Sequence, residues 1–560
     1  MKRRASGLAV SALVCVGALA TGQESRSRPT TMAHRSTVYA PHGTIATSQP
    51  LATAAGIAVL EHGGNAIDAA VTAAAVLNVV EPMMTGIGGD MFAIVWSAKD
   101  HRLYGLNSSG RAGRLMTREA LLARGHRSMP ELSVEDVTVP GALAGWDALL
   151  QRFGTITLAQ ALAPAIGYAE SGFPVTPIIA RDWASEASRL ARDAGARQTF
   201  LVDGTRAPHA GEWFTNPDLA RSFRLIAAQG PSALYGGELG QRIVAGLERL
   251  GGYLTLDDLR DHRPEWVEPI SAPFKGYRVW ELPPNGQGVA ALEMLRMLEP
   301  YDLRGLGHNS APYLHLLIEA KKLAFADAAR YVGEPAAMQV SAAALLDDGF
   351  VAARRALIDP KRAADRPEAG TASASETIYL TVADSAGNMV SFINSLFDAF
   401  GSGVAVPGTG FALQDRGAGF TLDPGLPNTI APGKRPFHTL IPAFVTKPDG
   451  NGVEQPWMSF GVMGGSMQPQ GHVQVLLNLL VFDMDLQDAI DAPRFRHLAG
   501  RRVALEAPIG DAARRTLTAL GHEIADERAV AFGGAQAIIR LPHGYAAGSD
   551  PRKDGMAAGY

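Results

Sequence analysis

One seam in this chain constrains its fold more than any other feature. Before it, apolar residues recur at helical spacing, as in "PGALAGWDALLQRFG", "TLAQALAPAIGYAESGF" and "APYLHLLIEAKKLAFADAARYVGEP". After it, "TIYLTVAD" and "MVSFINS" alternate with period two, and "GSGVAVPGTGFAL", "HTLIPAFVTK", "PWMSFGVMGG" and "RVALEAP" read as further strands. Between lie residues 360–376, "PKRAADRPEAGTASASE", small and polar with no large apolar group. Helical pattern returns in "GHVQVLLNLLVFD" and "LQDAIDAPRF". Helices, then strands with helices interleaved, predict a layered α/β or α+β fold and not a bundle or a sandwich.

The 560 residues suffice for a large core, as two to four domains or one large α/β unit. A net charge of -4 gives no broad basic surface, so nucleic acid is not an expected partner. "MKRR" followed by "LAVSALVCVGALA", with Ala18-Leu19-Ala20 as a small-x-small site, predicts an export signal over residues 1–20. That implies a periplasmic or secreted protein without stable membrane insertion once the signal is removed. Residues 21–39 are expected to be a disordered leader. Cys15 is the one cysteine and falls in the signal. The mature chain therefore has no disulfide, no thiolate metal site and no cysteine nucleophile, so any nucleophile is Ser, Thr, Lys or a carboxylate.

Within "GIAVLEHGGNAIDAAVTAAAVLNVVEP", Asn65 to Asp68 can open a helix that is apolar almost all round and hence buried. The turn "TGIGGD" lacks the Lys-Ser/Thr of a phosphate loop and reads as tight backbone packing. Asp327 and Arg330 read as a pair on one helix face.

The seam sets a threonine at the start of a hairpin. With Ser385-Ala386-Gly387 as the loop and Gly387 left-handed, Val382 faces Val390, Leu380 faces Phe392 and Thr377 faces Ser395. A register slip of one would place Asn394 there instead. The pair is either an ordinary Thr–Ser contact or a nucleophile with a supporting hydroxyl. The second needs a base, which the amine of Thr377 supplies if the Glu376–Thr377 bond is cut. The hydroxyl can make that cut itself, by moving the acyl group from nitrogen to oxygen before water hydrolyses the ester. Later, Gly464-Gly465 ends a strand and either presents backbone N–H groups to an oxyanion or makes a plain turn. No G-x-S-x-G elbow is present.

Several stretches resemble the γ-glutamyltranspeptidase family: "VLEHGGNAIDAAVTAAAVLNVVEPMMTGIGGD", "PGALAGWDALLQRFGT", "PPNGQGVAALEML", "EAKKLAFADAARYVGEP", "APGKRPFHTLIPAF", "DAPRF" and "GSDPRKDGMAAGY". They occur in the family's order from about Ala40 to Tyr560. The resemblance implies an N-terminal-nucleophile hydrolase, a four-layer αββα sandwich made as a proenzyme. Residues 40–376 would form the large subunit and 377–560 the small one, remaining together as a heterodimer. Thr377 matches the nucleophile, Ser395 a second hydroxyl, and Gly464 and Gly465 the oxyanion glycines. No cofactor or metal is implied.

Departures fall on the substrate side. Members acting on glutathione carry Thr-Thr-His where this chain has Thr377-Ile378-Tyr379. Ser109 stands at their arginine, with Arg111 two residues on. His438-Thr439 replaces a serine pair, and Gly419 replaces an acidic residue, with Arg416 nearby. Arg111 and Arg416 are thus the expected anion-binding groups. Three readings follow. One is a γ-glutamyl hydrolase and transferase. Another is an amidohydrolase of the same mechanism for an acidic amide or a β-lactam side chain, like oxamate hydrolases and cephalosporin acylases. The third is an unprocessed anion-binding protein.

Overall fold

The computed structural model describes residues 35–365 and 376–560, with the side chain of Glu376 excluded. Residues 1–34, where an export signal and most of a leader are expected, and residues 366–375 of the linker lie outside the described residues. The leader was expected to be disordered through residue 39. Instead Val38–Ala40 is a strand paired with Tyr545–Ser549, and Arg35 donates to the Ser549 hydroxyl and to the Asp550 and Lys553 carbonyls.

Two seven-stranded sheets carry the fold. The first runs in the order Met556–Gly559, Thr44–Thr47, Glu376–Ala383, Met389–Phe397, Asp90–Ser97, Arg102–Ser108, Glu265–Val267. The second runs Val38–Ala40, Tyr545–Ser549, Gly534–Arg540, Glu454–Met463, Ala443–Pro448, Tyr277–Glu281, Ile270–Phe274. Alternation along the hairpin distributes its side chains. Ile378, Leu380, Val382, Val390 and Phe392 enter a core shared with the helix Ala66–Val80. Tyr379, Ala383, Met389 and Ile393 meet Phe444, Met463 and Ile538 of the second sheet. On that sheet's far face pack Gly288–Leu298, Ala311–Tyr331 and Met467–Leu480. The layers are therefore helix, sheet, sheet, helix, as the resemblance implied.

Ala66–Val80 is buried on every side, and its first turn is closed by a capping box between Asn65 and Asp68. The "TGIGGD" turn packs tightly, as read from sequence. A Cβ on Gly88 or Gly89 would fall inside contact distance of the Ala412 or Ser395 carbonyl oxygen. Asp327 does not pair with Arg330; it accepts from Arg354 Nε at 2.7 Å. Asp327 is buried, and Arg354 comes from a different helix packed on the same core.

Candidate active site

The hairpin register is the one counted outward from Gly387, which has φ of 91°. Val382 lies opposite Val390, Leu380 opposite Phe392 and Ile378 opposite Asn394. The register then shifts between Ile378 and Glu376, whose partner is Phe397. Thr377 occupies this irregularity and is 1% exposed. Its Oγ1 donates to Ser395 Oγ at 3.1 Å, and the same Ser395 oxygen accepts from Phe397 N at 2.8 Å. Asn394 is committed elsewhere: its Nδ2 donates to the Asp90 carbonyl and its Oδ1 accepts from Trp146 Nε1, both at 3.0 Å. The side chain beside Thr377 is therefore Ser395.

Across the next strand, Ser395 pairs with Asp90. Asp90 is completely buried and accepts from Gly110 N, Gly141 N, Gln414 Nε2 and His438 Nε2. Burial lifts its carboxyl to about 7, against the nearby positive charge of Arg416. His438 Nδ1 accepts from Leu440 N, which leaves the proton on Nε2 to face Asp90. Burial and the neighbouring arginines hold this imidazole neutral. Neither Asp90 nor the Gly110 and Gly141 amides were singled out from sequence; "GIGGD" had been assigned to packing alone.

Arg416 is 1% exposed. Its Nη1 donates to Thr439 Oγ1 at 2.8 Å, and its guanidinium lies 4.6 Å from the Phe397 ring centroid. Its Nε and Nη2 have no hydrogen-bond partner among the described residues. Burial lowers it to about 10, with Asp90, Asp415 and Asp398 opposing, so it stays cationic at neutral pH. Asp415 is driven well above the usual carboxylate range first by burial and then by Asp398 and Asp136, and Asp136 first by burial and then by Asp398 and Glu131.

A cavity of about 500 Å3 adjoins this group, lined by Gln287, Phe397, Gly419, Phe420, Thr439 and Ser466 among others. Thr439 lines it; Arg416 itself, like Thr377, Ser395, Gly464 and Gly465, is not among its lining residues. Two other expected anion-site residues are engaged elsewhere. His438 is fully buried behind the cavity and faces Asp90. Arg111 is not among the lining residues. It pairs with Glu334 and with Glu265 (2.9 Å) and donates to the Gly433 carbonyl, so its charge is already met by carboxylates distant in sequence. Ser109 is buried and donates to Asn107 Oδ1.

Gly464 and Gly465 take φ of 120° and 57°, values that favour glycine. Their carbonyls are tied, Gly464 O to Met467 N at 2.9 Å and Gly465 O to Gln468 N at 3.1 Å. Gln287 Nε2 also donates to Gly465 O at 2.9 Å and to Thr439 O at 2.8 Å, a link with no local sequence signal.

Among the described residues, His315, Glu319 and His522 have possible metal-ligating atoms within 4.8 Å of one another. Those atoms are already used. His315 Nδ1 is 2.8 Å from His522 Nε2, and Glu319 accepts from Lys322 at 2.7 Å and from Ala364 N. A cation there would have to displace the lysine, so the cluster reads as an anchor for the start of the linker. No helix among the described residues is long and apolar enough to cross a membrane.

The sequence pattern of the Gamma-glutamyltranspeptidase family matches residues 52–560. The "Glutathione hydrolase-like YwrD proenzyme" of Bacillus subtilis (strain 168) is 38% identical over 520 residues, covering 91% of this chain and 97% of that protein. The "Acylase ACY 1 proenzyme" of Pseudomonas sp. (strain SE83) is 38% identical over 518 residues, covering 90% and 91%. The crystal structure of cephalosporin acylase from Bacillus halodurans superposes with a TM-score of 0.89 at 45% identity, covering 96% of this chain and 99% of that one.

Proposed function

The chain belongs to the γ-glutamyltranspeptidase family, and on that premise we propose that it is an exported amide hydrolase and acyltransferase that cuts itself before Thr377. The observation that carries this is the buried Thr377–Ser395 hydroxyl pair at the end of the linker. Thr377 Oγ attacks the Glu376 carbonyl carbon, and the acyl group moves from nitrogen to oxygen. Water hydrolyses that ester, leaving a carboxylate on Glu376 and a free amine on Thr377. Residues up to 376 and from 377 then stay together as large and small subunits, because strands of both interleave in both sheets.

In turnover the Thr377 amine takes the hydroxyl proton as Oγ adds to the substrate amide. Gly464 and Gly465 supply N–H groups to the oxyanion. The leaving amine takes the proton, and water or an acceptor amine releases the acyl group from Thr377. Ser395 supports the nucleophile through its hydrogen bond.

The acyl donor carries a carboxylate. Arg416, cationic and lodged behind Thr439 and Phe397, is the group that favours it. Glutathione-like γ-glutamyl amides fit that description. A second reading, an acidic amide or β-lactam side chain without an α-ammonium, is favoured by Gly419, which carries no carboxylate; the lining carboxylates are those of Glu131 and Asp423.

Intact-mass analysis of the purified protein, followed by γ-glutamyl-p-nitroanilide and glutaryl-p-nitroanilide, tests both. Two fragments parting at Glu376/Thr377 with nitroaniline released from the γ-glutamyl amide support the first reading. Release from the glutaryl amide alone supports the second. A single uncut chain would overturn the mechanism.

A further inference from the structure

Gln287 sits at the N-cap position of the helix Gly288–Leu298, yet its side chain makes no capping bond. It is 2% exposed and lines the cavity. Its carboxamide NH2 reaches instead to two carbonyls from separate parts of the small-subunit sequence, Thr439 O at 2.8 Å and Gly465 O at 2.9 Å. Its own backbone N–H donates to His438 O, and His438 N donates to Asn285 O, so the loop 285–287 is stitched along 438–439.

These two carbonyls belong to the two working walls. Thr439 presents the hydroxyl that accepts from Arg416. Gly465 belongs to the glycine turn, where both residues have positive φ and glycine's rotational freedom is greatest. Peptide planarity ties the Gly464 carbonyl to the Gly465 N–H and the Gly465 carbonyl to the Ser466 N–H, so a grip on Gly465 O sets the position of the turn from its far end. From inside the turn Met467 N holds Gly464 O and Gln468 N holds Gly465 O, and Gln287 adds a second bond to Gly465 O from outside it.

We propose that Gln287 is a positioning residue: it fixes the oxyanion turn at a set distance from the Arg416–Thr439 wall, so that one acyl group can meet both at once. This rests on the Thr377 mechanism proposed above and adds to it a residue that touches neither the reacting bond nor the nucleophile. A misplacement of about 1 Å in such a constellation can cost ~100-fold in rate, so the expected effect lies on the transition state and not on ground-state binding.

The test uses the processed protein and two variants, Gln287→Met, which keeps the length and loses the donors, and Gln287→Glu. The first readout is binding of 4-boronobutanoic acid, whose boron accepts Thr377 Oγ to give a tetrahedral anion, compared with glutarate, which carries the same carboxylate without a reactive centre. Gln287→Met should weaken the boronate by about 10-fold to 100-fold and glutarate by less than about 3-fold. Where an anilide is turned over, kcat should fall with the boronate affinity while KM holds. Gln287→Glu should regain boronate affinity as pH falls, because the protonated acid again offers one donor, and Gln287→Met should not. Equal losses for boronate and glutarate would mean a merely structural role and overturn the proposal, as would no loss for either. A wild-type protein that takes up no boronate would instead sink the Thr377 mechanism, and this inference with it.

Discussion

His438 donates its Nε2 proton to the Asp90 carboxylate at 3.2 Å, and both side chains are 0% exposed. His438 is therefore part of the scaffold behind the Thr377–Ser395 hairpin and is not among the cavity's lining residues. Its ring packs 4.7 Å from Phe92, between the sheets. His438→Ser should not create a γ-glutamyl pocket. It should leave Asp90 short of one donor and open a cavity, costing about 2–4 kcal/mol in denaturant unfolding. A variant as stable as wild type, with improved γ-glutamyl turnover, would contradict this placement.

Asp90 also makes stability depend on pH. Its folded value is raised to about 7 from 3.8 by burial. The protonated form is thus favoured by folding, and the contribution is fully present below about pH 4 and lost as pH rises through 7. Asp136 and Asp415 are raised well above 3.8 for the same reason and act in the same direction. Buried neutral histidines such as His438 and His472 oppose this until about one pH unit above 6.5, because the unfolded chain is still half charged at 6.5. The melting temperature of Thr377→Ala, measured against Thr377→Ala/Asp90→Asn, should therefore fall as pH rises from about 4 to 7. A flat or rising difference over that range would mean that Asp90 is ionised in the folded state.

Thr377→Ala should give one chain with no amidase activity, since in the proposed mechanism the same hydroxyl both cuts and turns over. Ser395→Ala should still fold, because Ser395 Oγ bonds locally to Phe397 N and to Thr377. It should slow both self-cleavage and turnover by about 10-fold or more. Mass spectrometry against time after expression separates the two variants. Normal two-chain processing of Thr377→Ala would remove Thr377 as nucleophile.

Much of this centre is written locally. Strand periodicity and the left-handed demand at Gly387 predict the register as far as Ile378 opposite Asn394 and leave Ser395 or Asn394 beside Thr377, between which the tertiary bonds of Asn394 decide. Gly464-Gly465 was equally visible, since adjacent glycines at a strand end mark a special backbone. What stayed hidden depends on contacts between distant segments. Arg111 looks like a free cation in "NSSGRAG", but Glu265 and Glu334 arrive from far along the chain to neutralise it. Asp90 looks like the end of a glycine turn until Gly110, Gly141, Gln414 and His438 converge on it. Gln287 reads as a helix start, and nothing nearby in sequence shows that its amide crosses to Gly465.

Gly419 is the position where an acidic residue would be introduced to capture an α-ammonium. A Cβ built there would lie 2.5 Å from the Phe437 carbonyl oxygen and 3.5 Å from Pro436 Cβ. That oxygen is backbone and cannot swing aside. Gly419→Asp should therefore lose about 1–3 kcal/mol of stability and fail to raise the ratio of γ-glutamyl to glutaryl anilide turnover. A clear gain in that ratio at unchanged stability would show that the 436–437 segment yields more readily than its packing implies.

The two arginines expected at the anion site should separate cleanly. Arg416 is buried, stacked on Phe397 and bonded to the wall hydroxyl of Thr439, with two N–H groups that no described residue accepts. Arg111 is partly exposed and already held by two glutamates. Arg416→Gln keeps a donor for Thr439 and removes the charge, so KM for an acidic anilide should rise at least ~10-fold, while a neutral acyl anilide changes little. Removing Arg416 also leaves Asp90, Asp398 and Asp415 without their cation, so a loss of stability is expected and is read separately by melting. Arg111→Ala should affect acidic and neutral substrates alike, because what it removes is a surface ion-pair network. A charge-selective rise in KM from Arg111→Ala, with none from Arg416→Gln, would reverse the assignment and move the anion site to the outer loop.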